Sequence, residues 1–143
     1  MDRGIPALIR LRRWTVDEER RKLAVLQEEE ARLAELAERL EAEILKERKV
    51  AEDDPAGPGG RAFGAFIAAA ATERTRLSAE RAKLARIIEV QRDSLAEAFR
   101  DLKTLEQLQK NRARRAAQEA ARREQAVLDE IAQTGFQRRR ARG

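Results

Sequence analysis

From Leu23 onward, apolar residues recur at alternating three- and four-residue intervals: Leu23, Leu26, Leu33, Ala37, Leu40 and Ile44, with Glu30 the one polar residue in frame. This spacing is the seam of a coiled coil, a narrow stripe that keeps facing a partner helix. Extended backward, the same frame reaches Val16 and Ile9. Pro6 suits a first helical turn, where its missing N–H costs nothing. Thr15 with Glu18 also fits a capping box, which would start the helix at residue 15 instead. A second stripe runs through Phe63, Ile67, Ala70, Leu77, Leu84, Ile88, Leu95, Ala98, Leu102 and Leu105, interrupted by Arg74, Arg81 and Gln91. Past Gln109 it shifts phase and continues through Ala113, Ala117, Ala120, Val127 and Ile131. A shift of this kind marks a change in supercoiling or the end of the paired region.

Between the stripes lies DDPAGPGG, residues 53–60, holding two of the three prolines and three of the seven glycines. No Gly or Pro occurs from residue 7 to 54 or from 65 to 134. Neither stripe can be buried by its own helix, so the expected fold is all-α, an antiparallel two-helix coiled-coil hairpin with a longer second helix. The expected organisation is a single hairpin over 1–143, with helix 1 at about 5–53, a Pro/Gly-rich tip at 54–61, helix 2 at about 62–137 and a basic tail at 138–143. The arms would run about 70 Å and about 110 Å at ~1.5 Å per residue. With the tip near residue 57, Leu26 would lie beside Ile88, and Leu33 beside the Arg81–Leu84 turn. Glu30 would then come near Arg81 or Leu84, where an ion pair could account for its place in the seam. The rival reading is a flexible linker joining two helices that pair with other chains. The shortness of the tract and the high effective concentration of an intramolecular partner favour the hairpin.

Composition agrees with long helices. Charged residues make up 40% and aromatics 3%, and Tyr is absent, so neither a layered globular core nor a sheet is expected. Cys and His are both absent. That removes disulfides, thiol chemistry, the usual zinc ligands and the commonest general base. No enzyme and no cofactor or metal is expected. The longest nearly apolar run, residues 62–71, is far short of the ~20 residues a bilayer span needs. The N-terminal MDRGIPALIRLRR has no hydrophobic signal core, so a cytoplasmic location without membrane insertion is expected.

The net charge of +5 is unevenly spread. Residues 1–22 carry seven basic and four acidic groups, and residues 23–54 five basic and eleven acidic. Residues 110–143 carry ten basic and four acidic groups. In a hairpin both termini meet at one end, so that end is strongly basic while the first arm is acidic. Acidic runs such as QEEEARLAELAERLEAE are ordinary solvated helix faces. KNRARRAAQEAARR and QRRRARG, beside IRLRRW, concentrate more Arg than solubility requires and suggest an acidic partner, nucleic acid or an anionic membrane surface. DNA is not expected. Asn111 is followed by Arg114 and Arg115 where a basic-zipper region would carry alanines, and single-strand binding would want interleaved aromatics. Arg10 and Arg13 on helix 1, with Arg112, Arg115, Arg122 and Arg123 on helix 2, are the candidate contacts. Trp14 either joins them as an anchor or packs near Phe99 or Leu102. At the tip, Phe63 and Ile67 fit the seam, whereas Phe66 falls just off it and is a candidate exposed anchor.

IRLRRWTVDEERRKLAVLQ, AEAFRDLKTLEQL and RRAAQEAARREQAVLDEIA resemble the FliJ/YscO family, over nearly the whole chain. These are stalk proteins of flagellar and virulence type III export. The resemblance implies an antiparallel coiled coil similar to the rotor shaft of the rotary ATP synthase. It implies a cytoplasmic place at the flagellar base, with the basic end seated in the hexameric export ATPase ring through Arg10, Arg13, Trp14, Arg112, Arg115, Arg122 and Arg123. It further implies contact with the cytoplasmic domain of the export-gate membrane protein, here given to Phe66, and the handling of export chaperones. A hairpin using its seam internally would be a monomer. The alternative is a generic cytoplasmic coiled-coil scaffold or dimerisation module, with a nucleic-acid-binding basic helix more remote.

Overall fold

A computed structural model describes residues 4–143 of the chain; the first three lie outside the described residues. It contains two helices, α1 (Gly4–Asp53) and α2 (Pro58–Arg142), packed against each other, and no strand among the described residues. The fold is therefore an all-α, antiparallel two-helix coiled-coil hairpin whose second helix is the longer. α1 begins at Gly4, not at Thr15, and Pro6 sits in its first turn. The reason lies in packing: Ile5 and Ile9 keep only 8% and 3% of their surface exposed, so the first turns bury apolar area that a helix starting at residue 15 would forgo.

The chain divides into two compact units: Trp14–Phe99, and Met1–Arg13 with Arg100–Gly143, the second described from residue 4. In the first, Val16, Leu33 and Ile44 of α1 and Ala70, Leu77, Ile88 and Ala98 of α2 are buried, all of them positions on the two apolar stripes. Leu23, Leu26, Leu40 and Leu84 are half-buried, as a seam between only two helices requires. Each buried Leu, Ile or Val contributes about 1.5–3 kcal/mol relative to exposure. No polar or charged residue is buried among those described. The polar interruptions are resolved by pairing at the edge of the seam. Arg74 grips Glu41 with two guanidinium nitrogens, and Gln91 donates to the Glu19 carbonyl at 3.1 Å and to its carboxylate. Glu41 and Arg74 stand nearly equidistant from residue 57, and Arg81 lies beside Ala34 and Ala37, in the register expected from the sequence. Glu30 is exposed, while its neighbour Glu29 is half-buried and paired with Arg32, so the frame slips outward at that turn.

The tip is shorter than the composition suggested. Asp54 donates its N–H to the Val50 carbonyl (3.2 Å), Gly57 to Asp54 (3.1 Å) and Arg61 to Gly57 (3.1 Å). α2 is thus already under way at Pro58, not at 62, with proline in the first turn where it is tolerated. No glycine has a positive φ, so Gly59 and Gly60 stay helical and serve close approach instead. A Cβ at Gly59 would come within 2.6 Å of Val50 Cγ1, and one at Gly60 within 2.2 Å of the Pro55 carbonyl oxygen. The other end also differs from expectation. Residues 138–142 are the last turn of α2 and not a tail. Arg is a good helix former, and Arg139, Arg140 and Arg142 complement the negative end of the helix dipole. The lone Gly135 costs about 1 kcal/mol and does not stop the helix.

Candidate functional site

The site candidates of α1 arise from its amphipathic spacing. Ile5 and Ile9 turn inward, and Arg10 and Arg13, offset from them around the helix, are exposed. Arg13 reaches Glu106 of α2 at 3.6 Å, and Lys103 reaches the same carboxylate at 3.2 Å. The Lys103 hydrogen bond first, and Arg13 more weakly, hold the Glu106 carboxyl below the usual carboxylate range. Arg13 is therefore partly neutralised, in an exposed pairing that is individually weak.

On α2, Arg112 lines a shallow groove with Ile5, Pro6, Gln109, Ala113 and Ala116. Beyond it the helix changes character, and residues 112–134 are exposed throughout. Arg115 and Arg122 are exposed, and Arg123 pairs with Glu119 one turn earlier at 2.8 Å. The structure thus brings Arg10, Arg13 and Arg112 into the same compact unit, with Arg115, Arg122 and Arg123 further along α2. Trp14 belongs to the other unit and is 59% exposed, so it is not packed into the seam; Phe99 is itself 41% exposed. At the tip, Phe66 is half-buried, its ring stacked on Phe63 at a centroid distance of 6.4 Å. The off-seam spacing makes Phe66 a candidate exposed anchor; its ring is half-buried and seated on Phe63.

The same helix also carries exposed apolar side chains. Val127, Leu128 and Ile131 are 55%, 53% and 62% exposed, and Val127 and Ile131 line a shallow depression with Glu130, Thr134, Gly135 and Arg138. The signal was present in the sequence as the stripe that resumes beyond Gln109. Among the described residues no group of His, Cys, Asp or Glu is placed to hold a metal ion, and no helix is long and apolar enough to cross a membrane.

Fold and surface together define a coiled-coil hairpin whose second helix carries an arginine-bearing, solvent-exposed stretch. The chain belongs to the flagellar FliJ protein family, whose model matches residues 5–141. No curated protein and no solved structure gives a significant match. Membership assigns the chain a role in flagellar type III export, within a family of non-catalytic components of that system.

Proposed function

We propose that the chain is a non-enzymatic stalk that couples the hexameric export ATPase to the cytoplasmic domain of the export-gate protein and assists export chaperones. The observation that carries this reading is the exposed helical stretch 112–134, bearing Arg112, Arg115, Arg122 and Arg123 in the unit that also holds Arg10 and Arg13. A solvent-exposed helical stretch that carries guanidinium groups suits insertion against acidic protein surfaces. Trp14, more than half exposed, adds an aromatic anchor, and Phe66 with Phe63 offers an apolar contact for the gate protein. The helix needs no conformational change to engage; docking is rigid-body, and charge sets orientation and encounter rate.

Reversal of Arg112, Arg115, Arg122 and Arg123 to Glu tests the reading by co-assembly with the export ATPase. These side chains are outside the seam, and loss of the Arg123–Glu119 pair costs the helix only about 0.3–0.5 kcal/mol, so helicity should persist. Association should slow strongly at low salt and differ less at high salt, where screening already weakens the wild type. Equal binding of variant and wild type at every salt concentration would remove this stretch as the docking site.

A further inference from the structure

The tip holds the one Asp–Pro bond of the chain, Asp54–Pro55; the other two prolines follow Ile5 and Gly57. Both residues are exposed, between the end of α1 and the start of α2. The bond is a tertiary amide, and its nitrogen, once released, is a secondary amine that takes up a proton readily. An aspartate carboxylate can add to its own carbonyl carbon through a five-membered ring, as an intramolecular nucleophile that needs no encounter.

The fold brings these groups together. The Asp54 carbonyl oxygen accepts the Gly57 N–H at 3.1 Å, so a donor already sits on the oxygen that would become an oxyanion. The Asp54 carboxylate lies where Gly57 would carry a Cβ, and a side chain there would collide with it. Nucleophile and scissile carbonyl are thus both held against Gly57. The charged residues flanking Asp54 are Lys49, Glu52 and Asp53 in the last turns of α1 and Arg61 in the first turn of α2, all exposed. Among the described residues no hydrogen bond or ion pair engages the Asp54 carboxylate.

We propose that Asp54–Pro55 is a self-cleavage site activated by mild acid, which divides the hairpin into residues 1–54 and 55–143. A carboxylate oxygen of Asp54 adds to its own carbonyl carbon, the C–N bond to Pro55 breaks, and the proline nitrogen takes a proton from solvent. One water then opens the cyclic anhydride. Asp54 ends the first fragment with two carboxyl groups, and Pro55 begins the second with a secondary amine. No oxidant, metal or second protein is required. The cut removes no residue from the seam: Val16, Leu33 and Ile44 stay with one fragment, and Ala70, Leu77 and Ile88 with the other. Pairing changes from intramolecular to bimolecular and loses the effective concentration that the tip supplies. The nicked hairpin therefore holds together in concentrated solution and separates on dilution, whatever partner the chain serves.

Mass spectrometry of the full chain incubated at about pH 4, where carboxylates in general are partly ionised and acid is available, tests it. Two fragments should appear, 1–54 and 55–143, whose masses sum to the parent's 16.3 kDa plus one water. Cleavage should be about tenfold faster in the folded chain than in concentrated guanidinium chloride, a small part of what orienting an intramolecular nucleophile can give. Pro55→Ala and Asp54→Ser should abolish the cut. Gly57→Ala should slow it to the rate in denaturant, because the new methyl group displaces the carboxylate. The φ of Gly57 is not positive, so the backbone itself accepts alanine there. Helical circular dichroism at the same pH follows the fold. A chain that stays whole, is cut first at another bond, or is cut equally fast in denaturant overturns the proposal. So does a Gly57→Ala chain cut at the wild-type rate. Loss of helicity at this pH overturns it too, since the folded tip would not then be what is cut.

Discussion

The unit Trp14–Phe99 and the stretch 112–134 of α2 follow the same three-four spacing of apolar residues, and those residues end in opposite surroundings. Ile44 and Ile88 keep 2% of their surface exposed; Val127 and Ile131 keep 55% and 62%. Helix propensity does not separate the two, since both stripes lie on uninterrupted helix on either side of the tip. What separates them is whether a second helix of the same chain faces the stripe. A heptad stripe specifies that a partner is wanted and what shape it must have, but not which molecule supplies it. In the first stretch the chain supplies its own; in the second the stripe stays open to solvent.

Truncating the same residue type in both stretches should give the largest contrast. Ile44→Ala removes a fully buried side chain and should cost about 2–4 kcal/mol, within the range for large-to-small core changes. Ile131→Ala removes an exposed one and should change stability by no more than about 0.5 kcal/mol. Denaturant unfolding followed by helical circular dichroism measures both. A comparable loss for Ile131→Ala would mean that its stripe is buried in solution after all.

A smaller contrast is expected between two glycines of α2. Gly60→Ala pushes a Cβ against backbone atoms of Pro55 and Asp54, at 2.2–2.7 Å, which cannot move aside as a flexible side chain would. The strain should outweigh the helix-propensity gain and cost about 1–3 kcal/mol, the usual range for overpacking. Gly64→Ala meets nothing within 4 Å and should stabilise by up to about 1 kcal/mol. If Gly60→Ala also stabilises, the tip is looser than its close contacts imply.

These contrasts also show where sequence reading reaches and where it stops. The seam at Val16, Leu33, Ile44, Ala70, Leu77 and Ile88 was legible because a buried stripe must repeat with the helix period. Gly59 and Gly60 read as part of a turn-rich tip in the sequence, since composition cannot tell whether a glycine is used for its free φ or for its missing Cβ; that depends on Val50 and Pro55 across the turn. The helical state of residues 138–142 was missed for a related reason, as a run of Arg reads as a tail unless the helix before it persists. At the candidate site the exposure of Arg115 and Arg122 followed from charge alone. The choice of Glu41 for Arg74 did not, because it depends on register to within one residue. The open surroundings of Val127 and Ile131 depended on where α1 begins, a fact about the other helix.

The smallest effect concerns that same cross-helix pair, set against a pair confined to one helix. The hydrogen bond from Arg74, and then the Coulomb attraction of Arg74 and Arg48, hold the Glu41 carboxyl below the ordinary carboxylate range, against some desolvation. A carboxyl depressed in the folded state contributes stability that is fully present above its unfolded value. That contribution is lost as pH falls through the lowered folded value. Glu41→Gln should therefore lower the thermal midpoint slightly near neutral pH, and the difference from wild type should shrink in acid and vanish by about pH 2. The pair is exposed and screened, so high salt should shrink the difference as well. Glu119→Gln removes a carboxylate that pairs with Arg123 on its own helix and should leave hairpin melting nearly unchanged at every pH. Thermal scans of both variants from neutral to acid pH measure the contrast. A Glu41→Gln deficit that persists undiminished to about pH 2 would show that Glu41 acts through the packing of its stem and not through its charge.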